Sequence, residues 1–62
     1  MTIYEVWYKV PGEPKPEFVD AYLLLEEAQK HKDHLDNDNL IKLVNANVYI
    51  LPITIKASFE PK

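Results

Sequence analysis

The clearest candidates for chemistry in this chain are two histidines, His31 and His34, which lie three positions apart with aspartates nearby. Residues at this spacing are neighbours on a helix surface, and two imidazoles with one carboxylate can bind zinc. The nearby carboxylates are Asp33, Asp36 and Asp38. His31 also falls on a helical stripe of leucines, which favours a half-buried side chain hydrogen-bonded to the backbone. We therefore expect no metal, and metal or small-molecule binding by His31 and His34 is the alternative function.

Groups for nucleophilic catalysis are scarce. The chain has no cysteine, its serine is Ser58 close to the end, and Thr2 and Thr54 have no base beside them. A catalytic triad needs a nucleophile, a base and an orienting group on a rigid scaffold. A single glycine also argues against a glycine-rich phosphate loop. We predict that the protein is not an enzyme and uses no cofactor.

The charge balance argues against nucleic acid as a partner. Asp and Glu number 10 against 7 basic residues, all of them lysine, and the net charge is −3. Nucleic-acid binding depends on basic surfaces and on arginine contacts to bases. No apolar run approaches the roughly 20 residues that span a bilayer, and no signal peptide is visible. We expect a cytoplasmic protein that binds neither nucleic acid nor membranes.

The elements that would position these residues begin with a strand. Alternation over residues 2–10 places Tyr4 and Val6 on one face of a strand, and Ile3 and Trp7 on the other. The face with Tyr4 and Val6 is the predicted core face. Trp7 would then point away from the core.

A hairpin follows. Residues 11–16 contain three prolines and the glycine, which predicts a loop. Residues 17–23 predict a second, shorter strand, antiparallel to the first. Strict alternation places Phe18 and Tyr22 on one side of this strand and Val19 on the other.

One helix is predicted, from Leu24 to about Asp36. Leu24, Ala28, His31 and Leu35 follow the spacing of a single helical face. No capping residue precedes Leu24, so the helix start lacks a side-chain cap.

The end of the chain leaves two alternatives. Residues 40–44 would form either a short separate strand, with 45–47 as a turn, or the lead-in to one long bent strand. We favour the second alternative because 45–47 lacks the glycine of tight hairpin turns. Residues 48–55 predict the last strand, and residues 58–62 a flexible tail.

The order strand, strand, helix, strand predicts an α+β fold, a single domain over residues 1–62. It would be a small antiparallel sheet of three or four strands with one helix on one face. The other face would remain uncovered and rich in apolar groups, which is typical of an interface. The predicted interface residues are Ile3, Trp7, Phe18, Tyr22, Val48 and Ile50. In the opposing interpretation, Trp7 lies flat over the hairpin and the helix covers more of the sheet.

The short length favours an oligomer. A chain of 62 residues buries only about 60% of the surface that its unfolded form exposes. Disulfides, metals or partner chains usually supplement such a small core. Without cysteine, a homo-oligomer, in the simplest case a dimer, is the expected supplement.

Two segments carry a resemblance to other proteins: residues 21–31, AYLLLEEAQKH, and residues 45–49, NANVY. They resemble small proteins of bacteria and their phages in which a strand runs into a helix opening with Glu-Glu-Ala and a final strand closes the sheet. The resemblance implies a protein that acts by binding, including as a phage-encoded inhibitor of host enzymes or defence systems.

These observations predict a non-enzymatic, self-associating protein-binding module. The most specific version of this prediction is a phage or mobile-element inhibitor that sterically blocks a host or defence protein. A structural or assembly subunit is a further alternative.

Overall fold

Three strands and two helices form in the computed structural model, which describes residues 1–55 of the chain. In chain order they are β1 (Thr2–Lys9), β2 (Glu17–Tyr22), α1 (Leu25–Asp36), α2 (Asn39–Leu43) and β3 (Asn47–Thr54). The strands make one antiparallel sheet in the order β2-β1-β3. The predicted α+β fold, with the order β-β-α-β and a helix packed on the sheet, is confirmed.

The core lies between α1 and one face of the sheet. It centres on Val6 of β1, Ala28 of α1 and Val48 of β3, which are 0%, 0% and 5% exposed. Ala28 at this point lets the helix approach the sheet closely, because its side chain is a single methyl group. Partly buried residues surround this centre: Tyr4, Tyr8, Val19, Tyr22, Leu35, Ile41 and Ile50.

Helix α1 begins without a side-chain cap, as its sequence predicts. Its packing stripe includes Ala28, His31 and Leu35, the last two half-buried. Leu24 does not belong to the stripe and is 61% exposed. The reason is that Leu24 is the N-cap residue with extended backbone, φ −114° and ψ 133°, so its side chain departs from the helical direction.

Residues 40–44 form neither of the predicted strand structures, because helix α2 occupies Asn39–Leu43. The Asp38 carboxylate accepts hydrogen bonds from the N–H groups of Leu40 and Ile41, at 2.8 and 3.2 Å. An aspartate that pairs with the free N–H groups of a first turn stabilises a helix start. This cap decides between helix and strand over a run of apolar residues that fits both.

The connection between β1 and β2 is the predicted loop at residues 11–16. Gly12 has φ +92°, a conformation that glycine adopts at little cost. The Glu13 N–H donates to the Val10 carbonyl at 3.0 Å and closes the turn. The predicted flexible tail at 58–62 lies outside the described residues.

Candidate protein-binding surface

The sheet face opposite α1 carries side chains from all three strands, and we call it the open face. Residues directly opposed across paired strands share a face, and the register joins Ile3 to Ile53 and Trp7 to Tyr49. The core cluster, which includes Ile41 of α2, lies on the other side. Within residues 1–55, neither helix covers this face. Its members are Ile3, Glu5, Trp7, Lys9, Phe18, Ala21, Asn47, Tyr49, Leu51 and Ile53.

Two aromatic rings form the centre of the open face. The rings of Trp7 and Phe18 meet edge-to-face, with centroids 5.4 Å apart and planes at 77°. Trp7 is half-buried, whereas Phe18 is 51% exposed. Edge-to-face pairs gain about 0.5–1.5 kcal/mol beyond the area they bury, so the two rings form a defined ridge.

The charged residues of the open face are engaged locally. The Trp7 indole N–H donates to the Glu5 carboxylate at 3.1 Å, which fixes the ring along the strand. The Lys9 ammonium donates to the Glu13 carbonyl in the loop at 2.6 Å. Glu5 lies on the central strand between Ala21 and Leu51, and Lys9 lies at the end of that strand. The surface around the aromatic ridge is otherwise mainly apolar.

The structure brings half of the six predicted interface residues together. Ile3, Trp7 and Phe18 lie on the open face, as predicted. The placement of Val48 and Ile50 there is wrong, because they oppose Tyr8 and Val6 and pack in the core. Both alternating sets of β3 are apolar, so alternation alone does not identify its core face.

Tyr22 is also on the helix side, and the cause is a β-bulge in β2. The register joins Tyr4 to Tyr22 and Val6 to Asp20, but Trp7 to Phe18. Val19 is therefore an extra residue opposite the Val6/Trp7 step. A bulge shifts the alternation by one residue, so Phe18 faces the open side while Tyr22 faces α1.

The sequence prediction missed Tyr49, Leu51 and Ile53, which β3 contributes to the open face. Leu51 is 41% exposed, and Tyr49 and Ile53 are half-buried. The only available signal was Pro52. Because proline cannot donate to a ladder, it restricts the registers in which this strand can pair.

The histidines lie on the helix side. The Tyr22 hydroxyl and His31 Nδ1 are 2.7 Å apart. Partial burial raises the pKa of the Tyr22 phenol above its ordinary 10.0, and the charges of Asp20 and Glu27 raise it further. The imidazole tautomer sets which of the two groups donates in this hydrogen bond. His31 is half-buried, as the leucine stripe predicted, but its partner is the Tyr22 hydroxyl and not the backbone group that was expected.

The aspartates near the histidines have separate roles. Asp36 pairs with Lys32 at 2.7 Å along α1, and Asp38 caps α2. His34 is exposed in the last turn of α1. Among residues 1–55, no three His, Cys, Asp or Glu side chains are grouped as a metal site would require.

Comparison with known proteins adds no relative: no family model, curated protein or solved structure matches this chain. The part of the chain that the structure describes contains no helix long and apolar enough to cross a membrane.

Proposed function

We propose that the protein is a small protein-binding module that acts through the open face and associates with itself. The single observation that carries the proposal is the uncovered aromatic ridge of Trp7 and Phe18 on a mainly apolar sheet face. Trp and Tyr are the side chains most often found at energetic centres of interfaces. Apolar sheet faces of this kind mark interaction sites on water-exposed proteins.

The geometry favours protein as the ligand. The open face follows three strands and presents rings and aliphatic groups side by side, which suits another broad, apolar surface. Its charged residues, Glu5 and Lys9, are opposite in sign and already hydrogen-bonded. A protein partner would bury the ridge together with the Trp7–Glu5 hydrogen bond and leave Lys9 at the rim, where interfaces usually carry their charges.

The small core supports self-association. Within residues 1–55, only Val6, Ala28 and Val48 form the buried apolar centre. A core of this size gives little stability alone, and a partner chain is a common supplement. Among the described residues, the open face and the edge of β3 are the surfaces with the fewest charged groups, and they suit contact between copies.

The proposal is tested by affinity capture with matched variants. Phe18→Lys introduces a charge on the open face at a residue that is 51% exposed. Leu25→Lys is the control, because it makes the same kind of change at 50% exposure on α1. Tagged wild-type protein and both variants are incubated with lysate of the native host, and the captured proteins are identified by mass spectrometry.

A protein captured by the wild type and by Leu25→Lys, but lost with Phe18→Lys, supports the proposal. Equal capture by all three forms would show that the open face is not the binding surface. The steric inhibitor role stays a prediction from the resemblance, and a captured enzyme or defence protein whose activity falls on binding would support it.

A further inference from the structure

Within residues 1–55, β3 pairs with β1 on one side, and no strand pairs with its other edge. Met1 and Ile55 exchange two backbone hydrogen bonds, from the Ile55 N–H at 2.7 Å and from the Met1 amine at 3.4 Å. In antiparallel strands, hydrogen-bonded pairs alternate with non-hydrogen-bonded pairs. The register pairs Thr2 with Thr54 and continues residue by residue to Lys9 with Asn47. The backbone N–H and C=O groups of residues 47, 49, 51 and 53 therefore point toward β1.

The other residues of β3 direct their backbone groups away from β1, to the edge of the sheet. These residues are Val48, Ile50, Pro52 and Thr54. Pro52 sits at a position where the sheet needs no N–H, which explains how a proline lies within a paired strand. Val48 and Ile50 offer two N–H donors and two carbonyl acceptors next to each other, and Pro52 interrupts the row.

We propose that a second copy of this chain adds to this edge, antiparallel, with Tyr49 opposite Tyr49 of the partner subunit. Val48 then pairs with Ile50 of the partner subunit, and Ile50 with Val48 of the partner subunit, through four backbone hydrogen bonds. The result is a continuous six-stranded sheet with both open faces on one side. This inference rests on the proposed self-association and specifies its surface.

Two local features select this register. A shift of the pairing toward the C-terminus places Pro52 inside the new ladder, where it cannot donate and its ring meets the partner backbone. A shift toward the N-terminus requires the N–H of Ala46, which already donates to the Ile41 carbonyl at 3.0 Å. A centre at Tyr49 completes four hydrogen bonds without either residue and leaves Pro52 opposite Ala46 of the partner subunit, at the end of the ladder.

Charge also favours a second copy at this edge. The chain carries a net charge of −3, so most contacts between two copies are repulsive at long range. Residues 43–55 carry no charged side chain, and β3 therefore meets its copy without like-charge contacts. Sheet edges that stay unpaired are usually protected by charged residues or proline. In β3 no residue is charged, and Pro52 protects the C-terminal part of the edge but leaves Val48 and Ile50 open.

The area of such a contact sets the expected affinity. An edge pairing of a few residues per copy falls below the roughly 1,200 Å² of a standard stable interface. We therefore expect a dissociation constant on the order of 10 µM rather than nanomolar. The dimer would be populated at moderate protein concentration and would dissociate on dilution.

The test uses chemically synthesised chains of all 62 residues. N-methylation of Ile50 removes one outward N–H and keeps the side chain that packs in the core. N-methylation of Thr54 is the matched control, because it blocks the same edge beyond the paired segment. Sedimentation equilibrium from about 1 µM to about 1 mM spans the expected constant, and far-UV circular dichroism checks the fold.

The wild type and the Thr54-methylated chain should dimerise, with the Ile50-methylated chain weaker by about tenfold or more. A wild type that stays monomeric throughout, or equal dimerisation of both methylated chains, would overturn the inference.

The Phe18→Lys variant separates the edge pairing from the proposed binding through the open face. If Phe18→Lys loses the captured partner and the Ile50-methylated chain dimerises as tightly as the wild type, the inference fails and open-face binding stands. If the Ile50-methylated chain dimerises about tenfold more weakly or worse and Phe18→Lys captures normally, the edge pairing stands and open-face binding fails.

Discussion

At the scale of single residues, the contact between Tyr22 and His31 ties the sheet to α1. The hydroxyl lies 2.7 Å from His31 Nδ1, and the two rings meet edge-to-face with centroids 5.7 Å apart. Tyr22, a predicted interface residue, and His31, a candidate metal ligand, instead contact each other and connect β2 to α1.

Replacing Tyr22 by phenylalanine tests the value of this link. Tyr22→Phe keeps the ring and removes the hydroxyl that bonds His31, so we expect the free energy of unfolding at neutral pH to fall. Urea denaturation followed by circular dichroism measures the change. Tyr49→Phe on the open face is the control and should alter stability by less than about 0.5 kcal/mol.

Alkaline pH gives a second measurement on the same pair of proteins. Folding raises the pKa of the Tyr22 phenol above its ordinary 10.0, so the folded state holds this proton more tightly than the unfolded state. The resulting stability is complete below pH 10 and is lost as the pH rises through the folded-state pKa. The stability difference between wild type and Tyr22→Phe should therefore narrow above pH 10. A constant difference would contradict the shifted pKa.

At the scale of elements, α2 depends on its cap. Five residues make a helix too short to be stable alone, and the Asp38 carboxylate supplies partners for two of its first N–H groups. Asp38→Ala should lower the free energy of unfolding by about 1 kcal/mol, while Asp38→Asn, which keeps an acceptor, should cost much less. Urea denaturation measures stability, and amide exchange at Leu40 and Ile41 reports the helix start directly. Equal exchange in both variants would exclude the capping role.

Local sequence pattern was sufficient to predict the strand with clear alternation and the helix with one strong apolar stripe. Alternation located β1 and its faces, the prolines located the loop at 11–16, and the stripe through Ala28 and Leu35 located α1. These features depend on neighbours in the sequence. Local alternation also predicted part of the open face, namely Ile3, Trp7 and Phe18.

Register was the information that local pattern lacked. Val48 and Ile50 are as apolar as their neighbours, and only the pairing of Val6 with Ile50 assigns them to the core. The bulge at Val19 likewise arises from pairing with β1, and it separates Phe18 from Tyr22. The missed helix α2 is a different case, because Asp38 was visible in the sequence as a candidate cap.

At the scale of the whole molecule, one side of the sheet is closed by α1 and the other presents the open face. The edge of β3 adds a second surface at right angles to it. Because Pro52 interrupts the outward donors of this edge, it limits how much of β3 a second copy can use. A single residue therefore influences the strength of assembly.

Replacing Pro52 by valine tests this influence. Pro52→Val restores an outward N–H that can donate to the Ala46 carbonyl of the partner subunit, once on each side of the two-fold axis. At about 1 kcal/mol for each added hydrogen bond, self-association should tighten by roughly tenfold or more. Thr54→Val, a change at the same edge that alters no N–H, should leave it unchanged. Sedimentation equilibrium distinguishes the two, and unaltered association of Pro52→Val would show that this edge takes no part.

The irregularity at Val19 bears on how far assembly could proceed. A sheet built from two copies through β3 would be bordered on both sides by β2, whose extra residue disturbs the even spacing of outward amides. Glu17 and Asp20 also place negative charge along this border. An incoming third chain would find a mismatched and repulsive template. Association would then stop at two chains. The uncharged edge of β3 would be used up in the dimer, and the β2 borders would not add further copies into a fibre.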